Sequence, residues 1–406
     1  MKKITFFGDI MCEPPVLKEA KRSGGKYDFD PVFDDVKNLF AESDYVVGNL
    51  ETPLAGKDAG YTDEYYIFNA PDEFADAAKN AGIDLILTAN NHSFDRNYEG
   101  LVRTLQVLDK KNIPHTGTWA KGEDREEAYY FTLNGTKFAV ISYTYGTNTK
   151  EGRPTAVGEL EGTVNLLRPP QGSFFLDGIR PEKTWIQKLL VKKKYGTKYS
   201  ELAGRINQFF GLPGNWIRKD DRLDKAAAAP YFEKMQADIR DAKKKADLVI
   251  FAPHIGGQFN NEPGEFSKYT VKKALEAGAD AIMASHSHCP QQIEHCGDVP
   301  CAWSLGNFNM DPTSSLAMPS TLSHFGLAAH LYVEDGKIVK TTFSMLKALH
   351  RRGKQIRVVP ADELYPTLSA KKQQMLVREV RKLYTIVTKT SLAEPYIRRE
   401  YDIPQL

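Results

Sequence analysis

Short apolar runs that break off on polar residues recur along this chain. Ile4-Thr5-Phe6-Phe7 stops at Gly8-Asp9, and Tyr45-Val46-Val47 stops at Gly48-Asn49-Leu50-Glu51. Asp84 to Thr88 runs into Asn90-Asn91-His92, and Phe138 to Tyr143 ends in Thr144-Tyr145-Gly146. Apolar runs bounded by polar punctuation predict buried strands. Helical periods fall between them: Phe33, Val36, Leu39 and Phe40; Pro71 to Asn80, with Pro71 at its first position and Asp72-Glu73 in its first turn; and Gly100 to Lys111, with Leu101, Leu105 and Leu108 inward. Strand-then-helix alternation of this kind predicts an α/β protein.

The pattern lapses between about Arg168 and Pro230. Pro169-Pro170, the basic run Lys192-Lys193-Lys194, Gly211 to Gly214 and Ala226 to Ala229 mark an insertion of mixed helix and loop. The basic run reads as a solvated helix face. Alternation resumes with a helix over Tyr231 to Lys245, the strand Asp247 to Ala252 before Pro253-His254, and a helix Ser267 to Ala277 closed by Gly278. Ala281-Ile282-Met283 is the next strand, leading to Ser285-His286-Ser287-His288, and Ala302 to Leu305 another, ending on Gly306-Asn307-Phe308. Alternating residues on both sides of Glu334-Asp335-Gly336 predict a hairpin from Ala328 to Phe343. The predicted organisation is a main domain over residues 1–345, interrupted at about 168–230, and a C-terminal helical extension over 346–406, clearest from Ala370 to Thr385.

Composition narrows the function classes. A net charge of +2 gives no reason to invoke nucleic acid. No run reaches the roughly 18 apolar residues that predict an integral membrane segment. Ile4 to Phe7 is too short for the apolar core of a signal peptide and reads as a first strand, so the expected location is the cytoplasm. Four cysteines in 406 residues argue against a disulfide scaffold. Cys289, Cys296 and Cys301 lack the paired C-x-x-C spacing of a zinc site and read as reduced thiols.

The polar strand ends form a chemical set: Asp9, Glu51, Asn91 with His92, His254, and His286 with His288. Ligand sites in α/β folds collect at such ends. On an extended backbone His286 and His288 would point to one face. Carboxylates, an amide oxygen and imidazoles together suit Mn, Fe or Zn rather than calcium. The set exceeds what one tetrahedral ion needs, so two divalent ions are expected, with a carboxylate between them. Such a pair clamps a phosphoryl group and acidifies water.

Gly8-Asp9-Ile10-Met11, Gly48-Asn49-Leu50-Glu51, Ala89-Asn90-Asn91-His92, His254-Ile255-Gly256, Ser285-His286-Ser287-His288 and Ser304-Leu305-Gly306-Asn307-Phe308 resemble the successive motifs of the CapA family. That family is linked to poly-γ-glutamate capsule synthesis and lies within the calcineurin-like metallophosphoesterase superfamily. The resemblance covers residues 4–165 and 230–312. It implies two β-sheets packed face to face with helices outside. It also implies Glu51 as a bridging ligand, Asp9 and His288 on one ion, Asn91, His254 and His286 on the other, and His92 as the catalytic group at the substrate phosphoryl. Met11 stands where the superfamily usually has a histidine, which leaves the first ion short of a ligand and weakly bound. Ile255 and Gln258 replace residues common in the family after His254.

The function implied is a metal-dependent hydrolase acting on a phosphate ester in capsule or cell-surface polymer metabolism. Its substrate would be a small molecule or polymer carrying a phosphate or γ-glutamyl group. The alternatives are a γ-glutamyl amide hydrolase or transferase and a non-catalytic accessory protein of polymer synthesis or export.

Overall fold

The computed structural model describes residues 1–64, 66–148, 155–170, 223–314, 320–351 and 353–403. Its strands are β1 (Lys2–Ile10), β2 (Tyr45–Leu50), β3 (Leu85–Leu87), β4 (His115–Thr116), β5 (Tyr129–Leu133), β6 (Thr136–Thr144), β7 (Leu248–Ile255) and β8 (Ala281–Met283). They continue with β9 (Ser285–His286), β10 (Ile293–Cys296), β11 (Val299–Ala302), β12 (Phe325–Glu334), β13 (Lys337–Leu349), β14 (Arg357–Pro360) and β15 (Tyr401–Asp402). One sheet runs β14-β13-β12-β1-β2-β3-β4, with β15 beside β13; the other runs β10-β11-β8-β7-β6-β5, with β9 beside β7. Both are mixed. β1 to β4 are mutually parallel, as are β6, β7, β8 and β11, while β12 to β14 and the β5 and β10 edges are antiparallel.

Strand alternation decides what each face does. Ile4 and Phe6 of β1, Val47 of β2, Phe138 and Val140 of β6, and Leu248 and Ile250 of β7 share one core between the sheets. The opposite faces carry Phe7, Val46 and Ile86 against Phe33, Phe40 and Phe74, and Ala139, Ile141 and Phe251 against Phe232, Met235 and Ile239. The result is the expected sandwich with helices outside. On the same alternation Asn49 and Glu51 fall on the face of Val47, and His254 on the face of Ile250 and Ala252. The inner face is thus apolar along most of its length and polar at the parallel strands' C-terminal ends.

Asp9 needs an extra device. By simple alternation it would share the outer face with Phe7, but the β1–β2 register shifts between Phe7 and Asp9. Ile10 then joins Phe7 in the outer core, leaving Asp9 on the inner side. A bulge re-aims a side chain in this way. Here it sits where the two sheets touch: Asp9 N–H donates to the Gly306 carbonyl at 2.9 Å. A Cβ on Gly8 would come within 2.2 Å of that same oxygen, so glycine is required for the close approach.

Several boundaries differ from expectation. The helix expected from Pro71 starts at Glu73, and the Phe33–Phe40 period breaks into the short helices Asp30–Phe33 and Lys37–Ala41 with a 3₁₀ turn between them. The strand expected over Ala302 to Leu305 instead ends at Ala302, and β5, β10, β14 and β15 form where no strand is expected. The bulk of the expected insertion, residues 171–222 with its lysine and glycine runs, lies outside the described residues. Its last part, including Ala226 to Ala229, belongs to the helix Lys225–Lys245. The segment after residue 345 is not helical throughout. β14 and β15 extend the first sheet, and the helix Ala370–Thr388 buries Leu376, Val380, Leu383 and Val387 in the inter-sheet core. Among the described residues no helix is long and apolar enough to cross a membrane.

Near the end of the described chain, Glu400 is held by Lys3 Nζ at 2.6 Å, by Tyr332 Oη at 2.8 Å and by Thr342 Oγ1. Burial would raise its carboxyl, but His330 and these donors outweigh it and hold it down at about 2. A depressed carboxyl contributes stability above its unfolded value of about 4.3, and that stability is lost as pH falls towards 2. Glu400→Gln should therefore lower unfolding free energy at neutral pH by about 1–3 kcal/mol and flatten the decline between pH ~4.5 and ~2, read by urea denaturation across pH. Gly8→Ala should destabilise by about 1–3 kcal/mol at every pH, since a backbone carbonyl must shift to admit the methyl.

Candidate metal centre

Three parallel strand ends from one sheet meet two from the other at this point, and each delivers its side chain by a different local route. Asp9 arrives by the bulge, and Glu51 directly after β2. Asn91 and His92 stand in the turn beyond β3. His254 lies within β7, and His286 and His288 follow β8. All seven are buried.

The ligand atoms of Glu51, His254 and His286 all lie within 4.8 Å of one another, and so do those of Asp9, Glu51 and His288. Glu51 is common to both groups. His254 Nε2 lies 2.7 Å from Asn91 Oδ1, 3.1 Å from His286 Nδ1 and 3.3 Å from Glu51 Oε1, so four potential donors crowd one region. On the other side, His288 Nε2 stands 3.9 Å from Glu51 Oε1. His92 Nε2 faces the same oxygen from 3.8 Å.

Hydrogen bonds fix the far edges of these groups. His254 Nδ1 meets Ser285 Oγ at 2.9 Å, and His288 Nδ1 meets Asn307 Oδ1 at 2.9 Å. Asn49 Nδ2 donates to Asp9 Oδ1 at 2.7 Å, while the backbone N–H of His286 donates to Asp9 Oδ2 at 3.0 Å. Asn90 Nδ2 in turn donates to Asn49 Oδ1 at 3.1 Å. His92 Nδ1 is 2.5 Å from Asp95 Oδ2, which also accepts the Phe68 N–H at 2.6 Å, and the Phe68 ring stacks on His92 at 4.3 Å. Partners of this kind orient metal-binding imidazoles and carboxylates and settle which ring nitrogen stays available.

The electrostatics fit a cation. Both carboxylate oxygens of Glu51 are sealed from solvent with no hydrogen-bond donor. A buried charge in that condition is strongly unfavourable unless something positive meets it. Burial would push Glu51 up, yet the His288 and His254 imidazoles hold it at about 2. Asp9 goes the other way, up to about 6, through burial and the charge of Glu51 beside it. His286 is pushed well below the usual imidazole range by burial and by His254 and His288, which keeps it in the neutral form a metal takes. The Glu51 oxygens, with the His254, His286 and His288 ring nitrogens around them, are what one or two divalent ions would complete.

The profile of the family described as Bacterial capsule synthesis protein PGA_cap matches residues 3–312. The chain belongs to this family. It is 23% identical over 329 residues to the PGA biosynthesis protein CapA of Bacillus subtilis (strain 168), covering 80% of this chain and 67% of that protein. The capsule biosynthesis protein CapA of Bacillus anthracis is 25% identical over 328 residues, covering 80% and 63%. The chain thus spans about two thirds of these relatives' length. Among solved structures, a hypothetical protein from Thermus thermophilus aligns at a TM-score of 0.43 and 12% identity, over 85% of this chain and 99% of that one. A putative 5′-nucleotidase from Staphylococcus aureus aligns at 0.41 and 13%, over 93% and 58%.

Every site residue expected from the capsule-family motifs is therefore gathered at one place, but not always for the expected reason. His286 and His288 do not converge by extended alternation. Their φ angles are +102° and +55°, and their ring centroids lie 5.6 Å apart. Two non-glycine residues with positive φ, two positions apart at one site, are strained backbone held by its surroundings. Asn49, Asn307, Ser285 and Asp95 have no role in the motif reading. The first three sit inside or beside quoted motifs, and Asp95 stands three residues after His92. Met11, expected to stand where the family's relatives usually have a ligand, packs with Phe68, Phe259 and Met310. If the cluster holds a transition metal, purified protein will contain it, and His254→Ala or His286→Ala will remove most of it by elemental analysis, since each deletes a nitrogen donor.

Proposed function

We propose that this chain is a metal-dependent hydrolase that cleaves a phosphate ester in capsule or cell-surface polymer metabolism. The observation that carries the reading is the buried, donor-free carboxylate of Glu51 standing between two ligand groups, with His92 facing it. Glu51 would bridge two ions, Asp9 and His288 would complete one site, and Asn91, His254 and His286 the other. Bound divalent ions would supply Lewis acidity to a phosphoryl oxygen and lower the pKa of water. The capsule and PGA biosynthesis names of the Bacillus relatives support the metabolic setting.

The chain's own residues supply the proton. Burial would depress His92, but the adjacent Asp95 and Glu51 carboxylates outweigh it and raise its pKa. Asp95 accepts the Nδ1–H hydrogen bond, and in the imidazolium that the two carboxylates favour the second proton would sit on Nε2, on the site side of the ring. That N–H would protonate the departing oxygen of the ester, while stacking against Phe68 and the Asp95 contact hold the ring in place. A histidine so oriented is a general acid rather than a ligand.

His92→Asn should keep metal content at the wild-type level while lowering turnover of a phosphoester such as bis-p-nitrophenyl phosphate, assayed with added Mn²⁺, by roughly 10²–10⁴-fold. Parallel loss of metal and activity would make His92 a ligand. Turnover of γ-glutamyl oligomers, with phosphoesters left intact, would reject the ester reading.

A further inference from the structure

The edge hairpin of the second sheet carries two cysteines that the metal centre does not use. β10 and β11 pair antiparallel, with Glu294 opposite Cys301 and Cys296 opposite Val299. Alternation therefore puts Glu294, Cys296, Val299 and Cys301 on one face, the two cysteines diagonal to each other, and sends His295 to the other face. Gly297 and Asp298 form the turn between the strands, Gly297 at φ +69°.

The two thiols share a hydrogen bond, and its effect on each is opposite. It lowers the Cys296 thiol and, together with burial, raises that of Cys301. Cys296 is half-buried, whereas Cys301 is fully enclosed in the cluster that also holds Ile282, Ala284 and Trp303. A partly exposed sulfur that favours the thiolate, beside a buried thiol, is the arrangement of an attacking and a resolving cysteine. The other two cysteines lack it. Cys12 and Cys289 are sealed from solvent, and burial raises both thiols, Cys289 to about 12. Among the described residues neither hairpin cysteine belongs to a group of three that could hold a metal ion. Glu294, the acid on the same face, is taken up by Trp303 Nε1 and Gln292 Nε2, both at 2.6 Å.

We propose that Cys296 and Cys301 form a reversible intramolecular disulfide when the protein meets a peroxide. The Cys296 thiolate attacks one peroxide oxygen; an S–O bond forms as the O–O bond breaks, and the departing hydroxide takes up a proton to leave as water. Loss of the thiolate removes the hydrogen bond that held Cys301 protonated. The Cys301 sulfur then displaces the hydroxyl of the sulfenic acid, and its proton leaves with that hydroxyl as a second water. Two thiols are oxidised and one peroxide is reduced. Only four residues lie between the two cysteines, so the crosslink adds little stability and its role is chemical. A low-molecular-weight thiol restores the pair by attack at the partly exposed Cys296 sulfur.

The test is differential alkylation and mass mapping of the full chain after brief exposure to hydrogen peroxide. The thiols counted in denaturant should fall from four to two and return with dithiothreitol. A protease that cuts after acidic residues separates Cys289, Cys296 and Cys301 at Glu294 and Asp298, and the linked peptides should join Cys296 to Cys301. Before oxidation, iodoacetamide should label Cys296 at least about tenfold faster than Cys12 or Cys289. Cys301→Ser should leave Cys296 as a sulfenic acid that dimedone traps, and Cys296→Ser should keep its three remaining thiols under the same exposure. Should Cys301→Ser unfold by circular dichroism, the wild-type map and the variant at half-buried Cys296 decide the matter. Four thiols surviving an excess of peroxide would overturn the proposal. So would oxidation of Cys12 or Cys289 ahead of the pair, or a disulfide that joins two chains.

Discussion

A carboxylate buried without a donor is among the most unfavourable things a fold can contain, and this one is organised to contain it. Glu51 sits where the C-terminal ends of parallel strands from two sheets meet, with both oxygens sealed from water. The sheets bury enough apolar surface elsewhere along their facing sides to tolerate such a point. The surrounding imidazoles, which hold the Glu51 carboxyl down, and the second carboxylate of Asp9 make an environment suited to a cation. A buried carboxylate that makes no hydrogen bond and is shared by two ligand groups marks a candidate functional site.

What is legible in the sequence is where strands end. Each site residue stands at or just beyond an apolar run, and the six motifs give their order, so Asp9, Glu51, Asn91, His92, His254, His286 and His288 can be grouped without coordinates. The alternation of β2 and β7 is equally readable: Val47, Asn49 and Glu51 fall on one face, as do Ile250, Ala252 and His254. Periodicity cannot show a break in itself. The bulge at Gly8 moves Asp9 across β1, and the positive φ angles at His286 and His288 replace the extended backbone that alternation assumes. Both are set by contact between the sheets, a long-range fact with no local signature apart from glycine at position 8.

The C-terminal segment departs from its expected helical form for a related reason. Arg357-Val358-Val359-Pro360 is too short to announce a strand, and Tyr401-Asp402 shorter still. They become strands because β13 runs on past the hairpin and offers them an edge. Tertiary context overrides weak local preference in such cases. Their pairing is what draws the helix Ala370–Thr388 against the core, and what brings Glu400 back to Lys3 at the start of the chain.

The same context dependence bears on Met11. A thioether is a poor partner for a hard ion, yet Met11 occupies a niche with Phe68, Phe259 and Met310, and two of those aromatics also touch site histidines: Phe68 stacks on His92, and the Phe259 ring centroid lies 5.5 Å from that of His288. An apolar wall at this point has effects that an imidazole would not. It backs the rings of His92 and His288 with apolar side chains. Under the proposed two-ion reading, the packing that leaves residue 11 without a hard donor is the same packing that backs the rings of His92 and His288.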